Sequence, residues 1–188
     1  MLFLLAAGYV GFDSNFYKEK FSQYGAQQDA ASLHEKVMNF LKGESNELPG
    51  QFNEREKQHL LDVRNVTQIL TILLYAVVVL FVILLIGSAA VLKANNYITN
   101  FVGKVMVFGG VLTVILAMIL FFFISSDFSS AFDSFHKMFF EKGTYTFDPA
   151  KETIVNLYPE SLFAELGARI SKWVLAASSA VILVGAFL

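Results

Sequence analysis

The sequence contains no cysteine, only three prolines and few charged side chains. Without cysteine it has no disulfide framework, no thiol nucleophile and no thiolate metal ligand. Charged residues make up 16% of the 188 residues, whereas an average globular chain carries about 25%. The net charge of −2, without a basic run or a Gly-rich phosphate loop, gives no indication of nucleic acid as a partner. The chain is instead 55% apolar with 20 Phe, which predicts long segments that do not meet water.

Four apolar runs predict an all-α membrane protein with four transmembrane helices. The two complete spans are expected at 65–92 and 105–126, which contain no charged residue and exceed the roughly 20 helical residues that cross a bilayer. Shorter runs at 1–12 and 173–188 complete the set. The first lacks the positive amino-terminal region of a secretory signal, so we expect a span that is cut short.

Charge placement orients these spans. The short segment between Lys93 and Lys104 contains both lysines and no acid, while all acidic residues lie in two longer segments, 13–64 and 127–172. Because cytoplasmic loops collect Lys and Arg, the short segment and both termini are predicted to be cytoplasmic. The two longer segments then share the outer face of a cell-membrane protein, and we expect them to form a helical cap on a single membrane domain, residues 1–188.

The first outer segment predicts a helix, a loop and a second helix. Apolar residues recur at helical spacing at Ala31, Leu33, Val37, Phe40 and Leu41. A Gly- and Ser-containing stretch at 43–50 predicts the loop. Asn53 is a suitable N-cap for a helix that continues through His59 into the second span. Asp62 would lie three residues from His59 on one face of this helix, with Arg64 at the mouth of the span.

The second outer segment places an aromatic wall around a histidine. On a helix, the rings that flank His136 at offsets of one to four residues are Phe132, Phe135, Phe139 and Phe140. Such a wall is suited to confine a lipid. A turn and extended piece at 141–149 carries Tyr145, and an amphipathic piece at 154–166 is interrupted at Pro159.

Two of the three histidines, His59 and His136, are predicted to meet at the outer boundary of the membrane. Imidazoles titrate near neutral pH, so the pair is suited to act as acid and base on a lipid ester. The residues alone leave other roles open. Each imidazole could hydrogen-bond a carboxylate and only support the cap. Together with Asp62, the pair could also supply the two nitrogens and one carboxylate of a metal site. The third histidine begins an H-E-x-x-H pattern, but Met38 stands where the second histidine is required.

A serine hydrolase is a further alternative. Serines cluster before His136 with two aspartates nearby, at Ser125, Ser126, Ser129, Ser130, Ser134, Asp127 and Asp133. No nucleophile-elbow pattern frames any of them. We interpret this polar run as the transition from the span to a cap helix.

Two sequence blocks resemble a known family. The block FNEREKQHLLDVRNV, residues 52–66, resembles an acid-rich lead into the motif H-[ML]-x-D-V-[KR]. The block FHKMFFEKGTYTFDPAKETIVNLYPESLF, residues 135–163, resembles the pattern F-H-x-x-F-F-x-x-G-x-[WY]-x-F-D-P followed by an apolar residue, P-E and F. Together they are similar to the lipoprotein intramolecular transacylases, four-span membrane proteins with an extracellular cap.

The resemblance implies an acyltransferase that acts on a diacylglyceryl-cysteine lipoprotein. The enzyme would move the sn-2 acyl chain onto the α-amino group of the same cysteine, which gives a lyso-form lipoprotein. The family's two catalytic histidines correspond to His59 and His136. Because amine and ester belong to one substrate, no covalent acyl-enzyme is needed, and we expect neither a metal nor another cofactor.

Five further residues are candidates for binding the diacylated lipoprotein and the surrounding membrane lipid. Asp62 is suited to fix an imidazole tautomer, and Arg64 to hold a carbonyl or phosphate at the interface, although a salt bridge between them is an equally good interpretation. Phe135, Phe139 and Tyr145 belong to the aromatic pocket. The rival to the enzyme is a non-enzymatic binding or accessory protein in which both histidines are structural.

Overall fold

The computed structural model describes residues 1–24, 29–92, 95–141 and 143–188, and the regular structure in these ranges is entirely helical. The prediction of an all-α protein is therefore confirmed for this part of the chain. The helices are α1 (Leu2–Gly11), α2 (Ser14–Gln23), α3 (Ala30–Lys42), α4 (Glu54–Leu92), α5 (Asn95–Ser126), α6 (Phe128–Phe139), α7 (Thr153–Leu157) and α8 (Glu160–Ala186).

Local sequence signals set several helix ends. The side chain of Asp13 accepts hydrogen bonds from two backbone N–H groups in the first turn of α2, and Asp127 accepts one from Ser130 at the start of α6. Helix α3 ends at Gly43, whose φ of 83° lies in the left-handed region that glycine adopts without strain. Pro159 separates α7 from α8, as expected for a residue that cannot continue a helix.

Three helices in the described residues are long and apolar enough to cross a membrane, at Glu54–Ser88, Ile98–Ser126 and Glu160–Ala186. Their apolar side chains are widely exposed: Ile72, Tyr75 and Ile86 on α4 are each about two-thirds exposed. Lipid can cover such an apolar surface, whereas its exposure to water would be unfavourable. The first apolar run forms α1, which is too short to count with these three.

Two predicted boundaries were wrong. The segment between Lys93 and Lys104 was expected to be a loop, but α5 begins at Asn95 and includes Lys104. Lys93 itself lies outside the described residues. Similarly, the last span was expected to begin at 173, whereas α8 runs without a break from Glu160. In both cases polar residues extend an apolar helix beyond its uncharged stretch.

The chain divides into two compact units. The first contains Met1–Val10, Ile72–Ser126 and Gly167–Leu188, and the second contains Gly11–Thr71 and Asp127–Leu166. These units follow the predicted division into spans and outer segments, and the single-domain organisation stays a prediction. The second unit has a hydrophobic core whose buried members include Phe16, Phe21, Leu33, Val37, Phe40, Phe52, Leu60, Ile154, Leu157 and Leu162.

Within the first unit, α5 and α8 approach closely at glycines. A Cβ added at Gly185 would lie 2.7 Å from the Cβ of Met106 and 2.8 Å from the carbonyl oxygen of Gly103. Real Cβ atoms do not come this close to backbone atoms, so only glycine fits. Small residues allow helix backbones to pack tightly in membranes, where the hydrophobic effect gives little drive for helix association.

This contact predicts a large effect for a very small substitution. Gly185→Ala should lower the stability of the protein in detergent by about 1–3 kcal/mol, because the added methyl group forces α5 and α8 apart. Gly109→Ala is the matched control, since a Cβ there meets nothing within 4 Å. Thermal unfolding of both variants measures the difference, and equal melting temperatures would contradict the proposed close contact.

Candidate active site

A capping box at the start of α4 precedes the first predicted catalytic residue. The backbone N–H of Glu56 donates to Oδ1 of Asn53 at 3.0 Å, and the backbone N–H of Asn53 donates to Oε2 of Glu56 at 2.6 Å. The predicted N-cap at Asn53 is thereby confirmed. This cap fixes the first turn of the helix on which His59 follows Glu56 by three residues.

The carboxylate of Glu56 also reaches a second helix. Its Oε1 accepts a hydrogen bond from the backbone N–H of Ile154 in the first turn of α7, at 2.7 Å. The side chain is only 1% exposed, and the N-cap residue of α7, Glu152, makes no side-chain cap of its own. One buried carboxylate therefore satisfies backbone donors at the starts of both α4 and α7.

His59 and His136 come together in the second unit. Their ring centroids are 6.0 Å apart and the ring planes differ by 22°, so the imidazoles are stacked. Both are buried, with 6% and 8% of their surface exposed. Burial, reinforced by the neighbouring His136, lowers the pKa of His59 to about 4.

The hydrogen bonds of the two rings differ. Nδ1 of His136 lies 2.8 Å from the carbonyl oxygen of Phe132, one turn earlier in α6. A carbonyl oxygen can only accept, so Nδ1 carries the hydrogen and the neutral ring presents its lone pair at Nε2. Nδ1 of His59 is buried and has no hydrogen-bond partner among the described residues.

Aromatic rings surround the pair, and three of the four rings expected from the spacing on α6, those of Phe132, Phe135 and Phe140, contact His136. Around His136, centroids lie at 4.1 Å for Phe132 and 5.1 Å for Tyr145. Around His59, they lie at 4.8 Å for Phe140 and 5.4 Å for Phe147. The enclosure limits the access of water and lowers the local dielectric constant, which strengthens electrostatic interactions with a reacting group.

The segment that carries Tyr145 and Phe147 is tied to α4 by an ion pair. Nε and Nη2 of Arg55 donate to Oε1 of Glu152 at 3.0 and 2.5 Å, and the backbone N–H of Asp148 donates to Oε2 at 2.6 Å. Burial opposes the charge on Glu152, but these hydrogen bonds lower its pKa overall. The guanidinium of Arg55 also lies over the ring of Phe147, 5.1 Å from its centroid.

The predicted substrate-binding residues occupy different places. Phe135 and Phe139 are 47% and 42% exposed and pack on each other at 4.8 Å beside the histidine pair. Asp62 accepts a hydrogen bond from Gln58 at 3.3 Å, and none joins it to either histidine in the described residues. Arg64 donates to the carbonyl oxygen of Ser45 and to the Asn46 side chain, so it holds the loop after α3 and forms no salt bridge with Asp62.

The described residues do not form the metal site or the serine-hydrolase site that the sequence left open as alternatives. Among the described residues, no group of three or more His, Asp or Glu side chains is arranged to hold a metal ion. The clustered serines bond elsewhere: Ser129 donates to Glu160, Ser130 to Asp127, and Ser126 to the carbonyl oxygen of Phe122. Within the described part of the chain, these serines make no hydrogen bond to His136.

The third histidine, His34, belongs to a separate cluster in the second unit. Its Nδ1 lies 3.0 Å from the hydroxyl of Tyr158, its ring lies 4.1 Å from that of Tyr17, and it is 3% exposed. Burial, reinforced by the positive charge of Lys42, lowers the pKa of His34 to about 4. His34 is therefore neutral in the folded protein at neutral pH.

This depressed pKa predicts an acid sensitivity. An unfolded histidine titrates near pH 6.5, so between about pH 6.5 and 4 the unfolded state binds the extra proton, and His34 costs the folded state up to roughly 3 kcal/mol as the pH falls. His34→Phe should flatten this part of the dependence of melting temperature on pH. An unchanged slope in the variant would show that other groups cause the acid sensitivity.

Fold and site together define a helical, multi-pass membrane protein with a buried imidazole pair inside an aromatic enclosure. The family model for the lipoprotein intramolecular transacylase Lit matches residues 1–163, and the chain belongs to this family. The family predicted from the two sequence blocks is thereby confirmed. The membership also confirms the prediction of an acyltransferase and does not favour a non-enzymatic accessory protein.

Solved structures show the same fold. The membrane integral lipoprotein intramolecular transacylase Lit from Bacillus cereus, determined in meso, superposes with a TM-score of 0.83 at 23% identity, covering 99% of this chain and 87% of that chain. Forms of that protein with one histidine replaced by arginine or by alanine give TM-scores of 0.77 and 0.74 at 22% and 23% identity. These cover 99% and 100% of this chain and 84% and 86% of theirs. No curated protein matches the sequence significantly.

Sequence reasoning missed the residues that support the pair. The sequence patterns assigned no supporting role to Glu56, Glu152 or Arg55. The pattern N-x-x-E at Asn53 is a capping-box signature and could have drawn attention to Glu56. Its second partner, Ile154, lies 98 residues further along the chain and has no local signal.

Proposed function

We propose that this protein moves the sn-2 acyl chain of a diacylglyceryl-cysteine lipoprotein onto the amino group of the same cysteine, with His59 and His136 as the catalytic pair. The observation that supports these two roles is their arrangement: two buried imidazoles stacked at 6.0 Å inside an aromatic enclosure. One imidazole that can accept a proton and a second that can donate a hydrogen bond, in a site with little water, suit the transfer of an acyl group between an oxygen and a nitrogen.

The reaction is an isomerisation of the substrate. The neutral amine attacks the carbonyl carbon of the ester, so that a C–N bond forms and the C–O bond to the glyceryl oxygen breaks. One proton leaves the nitrogen and one is delivered to the departing oxygen. Because both reacting groups belong to one molecule, holding them in contact contributes about 7–11 kcal/mol through proximity. The enzyme then needs to supply proton transfer and stabilisation of the oxyanion.

His136 acts as the base. Its Nδ1–H is committed to the carbonyl oxygen of Phe132 at 2.8 Å, which supports a ring that presents the Nε2 lone pair to the amine. The same hydrogen bond stabilises the imidazolium that forms, since the donor remains paired after Nε2 takes a proton. The proton can then pass to the glyceryl oxygen as the tetrahedral intermediate collapses.

His59 acts as the hydrogen-bond donor to the oxyanion. Its Nδ1 is buried without a partner, and an orphaned N–H in such a place is costlier than an orphaned lone pair. The favoured tautomer therefore carries its hydrogen on Nε2, where it can donate to the developing negative charge. A donor aligned before the reaction stabilises the transition state without reorganisation.

Aromatic residues beside the pair hold the lipid portion of the substrate. Phe135 and Phe139 present half-exposed rings next to His136, and we assign them to the acyl chain. The ring of Tyr145 lies 5.1 Å from that of His136 and is assigned to the reacting head group. Asp62 and Arg64 stay predicted substrate contacts, although Arg64 would first release the loop that it holds.

The active site faces the extracytoplasmic side of the cell membrane in this proposal. The substrate is a diacylated lipoprotein within its lipid environment, and the acidic residues lie in the two segments assigned to the outer face. We assign helix α1 to a fourth span, in addition to the three helices that are long enough to cross a membrane.

Tandem mass spectrometry of a diacylated lipopeptide tests the proposal. Incubation with membranes that contain this protein should move one acyl chain from the glyceryl group to the amine. Intact mass does not change in an isomerisation, so the fragment ions must locate the chain. A lipopeptide that stays unchanged, under conditions in which the Bacillus cereus protein converts it, would refute the activity.

A further inference from the structure

The aromatic enclosure depends on three residues that lie outside the helices. Phe140, Tyr145 and Phe147 follow α6 and precede α7, and all three rings contact one or both catalytic histidines. We refer to Phe140 together with residues 143–147 as the wall segment. Phe140 is held at the end of α6, where its backbone N–H donates to the carbonyl oxygen of His136, so the positions of Tyr145 and Phe147 depend on the chain that follows.

The chain after the wall segment is fixed to α4 by two buried carboxylates. Glu56 binds the backbone N–H of Ile154, while Glu152 binds the backbone N–H of Asp148 and the guanidinium of Arg55. Glu56 lies three residues before His59 on the same helix and is 1% exposed. It therefore joins the helix that carries one catalytic histidine directly to the chain that places the aromatic rings.

We propose that Glu56 is a positioning residue that keeps the wall segment closed over the histidine pair, and thereby directs the acyl group to the substrate amine and not to water. This inference rests on the proposed function. If the wall opens, water can attack the same ester carbonyl. A C–O bond to water's oxygen then forms, the C–O bond to the glyceryl oxygen breaks, and the products are a free fatty acid and a lipopeptide with an unmodified amine.

A carboxylate is required at this position. Each oxygen of Glu56 accepts from a different backbone N–H, at 2.6 Å from Asn53 and 2.7 Å from Ile154. The amide of glutamine offers one oxygen and an NH₂ group, which would face an N–H donor. Glu56→Gln therefore breaks one of the two bonds while keeping nearly the same volume. Alanine removes both.

The experiment measures the ratio of hydrolysis to transfer in H₂¹⁸O. Transfer gives the N-acyl lipopeptide without label, and hydrolysis gives a fatty acid with one ¹⁸O atom. Glu56→Gln should raise this ratio by about tenfold and lower the rate of transfer by about 10- to 100-fold, because a small displacement of catalytic geometry has effects of this size. Glu54→Gln is the matched control, since that carboxylate is 90% exposed and, within the described part of the chain, accepts a hydrogen bond from Lys57 alone.

Two results would overturn the inference. A ratio equal to the wild-type ratio in both Glu56→Gln and Glu56→Ala, in proteins with the wild-type melting temperature, would show that the hydrogen bonds of Glu56 do not govern the access of water. If the variants at Glu56 fail to fold, Phe147→Ala decides, since it removes a wall ring beside His59 and keeps both hydrogen bonds of Glu56. That variant must also raise the ratio, and an unchanged ratio overturns the proposal. Failure of the wild type to transfer refutes the proposed function itself and is a distinct result.

Discussion

Replacing His136 with alanine should abolish acyl transfer. The variant loses the base that takes the proton from the amine, and general-base catalysis by a positioned imidazole contributes about 10²–10⁴-fold to the rate. His136→Gln should lose as much, because an amide cannot accept and return a proton at neutral pH. The measurement is the initial rate of N-acyl lipopeptide formation, followed by the fragment ions that place the acyl chain.

The control for His136 comes from the same protein. His34 is equally buried but belongs to the cluster with Tyr17 and Tyr158, so His34→Phe should retain transfer near the wild-type rate. Melting temperatures of both variants separate a catalytic loss from a folding defect. If His136→Ala transfers at the rate of His34→Phe, the ring supports the structure and does not act in the reaction.

Much of the fold follows from local signals in the sequence. The end of α3 at Gly43, the start of α4 after Asn53 and the break at Pro159 each depend on a property of one residue, namely left-handed backbone, side-chain capping and a missing N–H. The start of α5 was misplaced because Lys104 was taken as the end of a loop. A lysine near a span can extend its charged end toward water while its helix continues.

Part of the candidate site was also predictable from local signals in the sequence. The aromatic residues on α6 follow helical spacing, and the paired histidines stand within two recognisable blocks. The tautomer of His136 could not be predicted, since it depends on the helix bringing the carbonyl oxygen of Phe132 to within 2.8 Å of Nδ1. The hydrogen bond between Glu56 and the backbone N–H of Ile154 joins residues 98 positions apart. No local sequence pattern indicates such a contact.

Substitution of His59 should also nearly abolish transfer, but the difference between the glutamine and alanine variants should be larger at His59 than at His136. Removal of a hydrogen-bond donor to an oxyanion lowers the rate by about 10²–10³-fold, which is the expected loss for His59→Ala. His59→Gln places an N–H donor on a side chain of similar reach, so it should recover part of that rate. The same substitution at position 136 should recover nothing.

The comparison between glutamine and alanine at the two positions therefore distinguishes their roles. Initial rates of lipopeptide conversion are measured for all four variants, with melting temperatures to exclude unfolding. An amide donates a hydrogen bond but does not exchange protons near neutral pH. Equal losses in His59→Gln and His59→Ala would mean that His59 transfers a proton in the reaction, and the assignment of base and donor to the two rings would have to be reversed or shared.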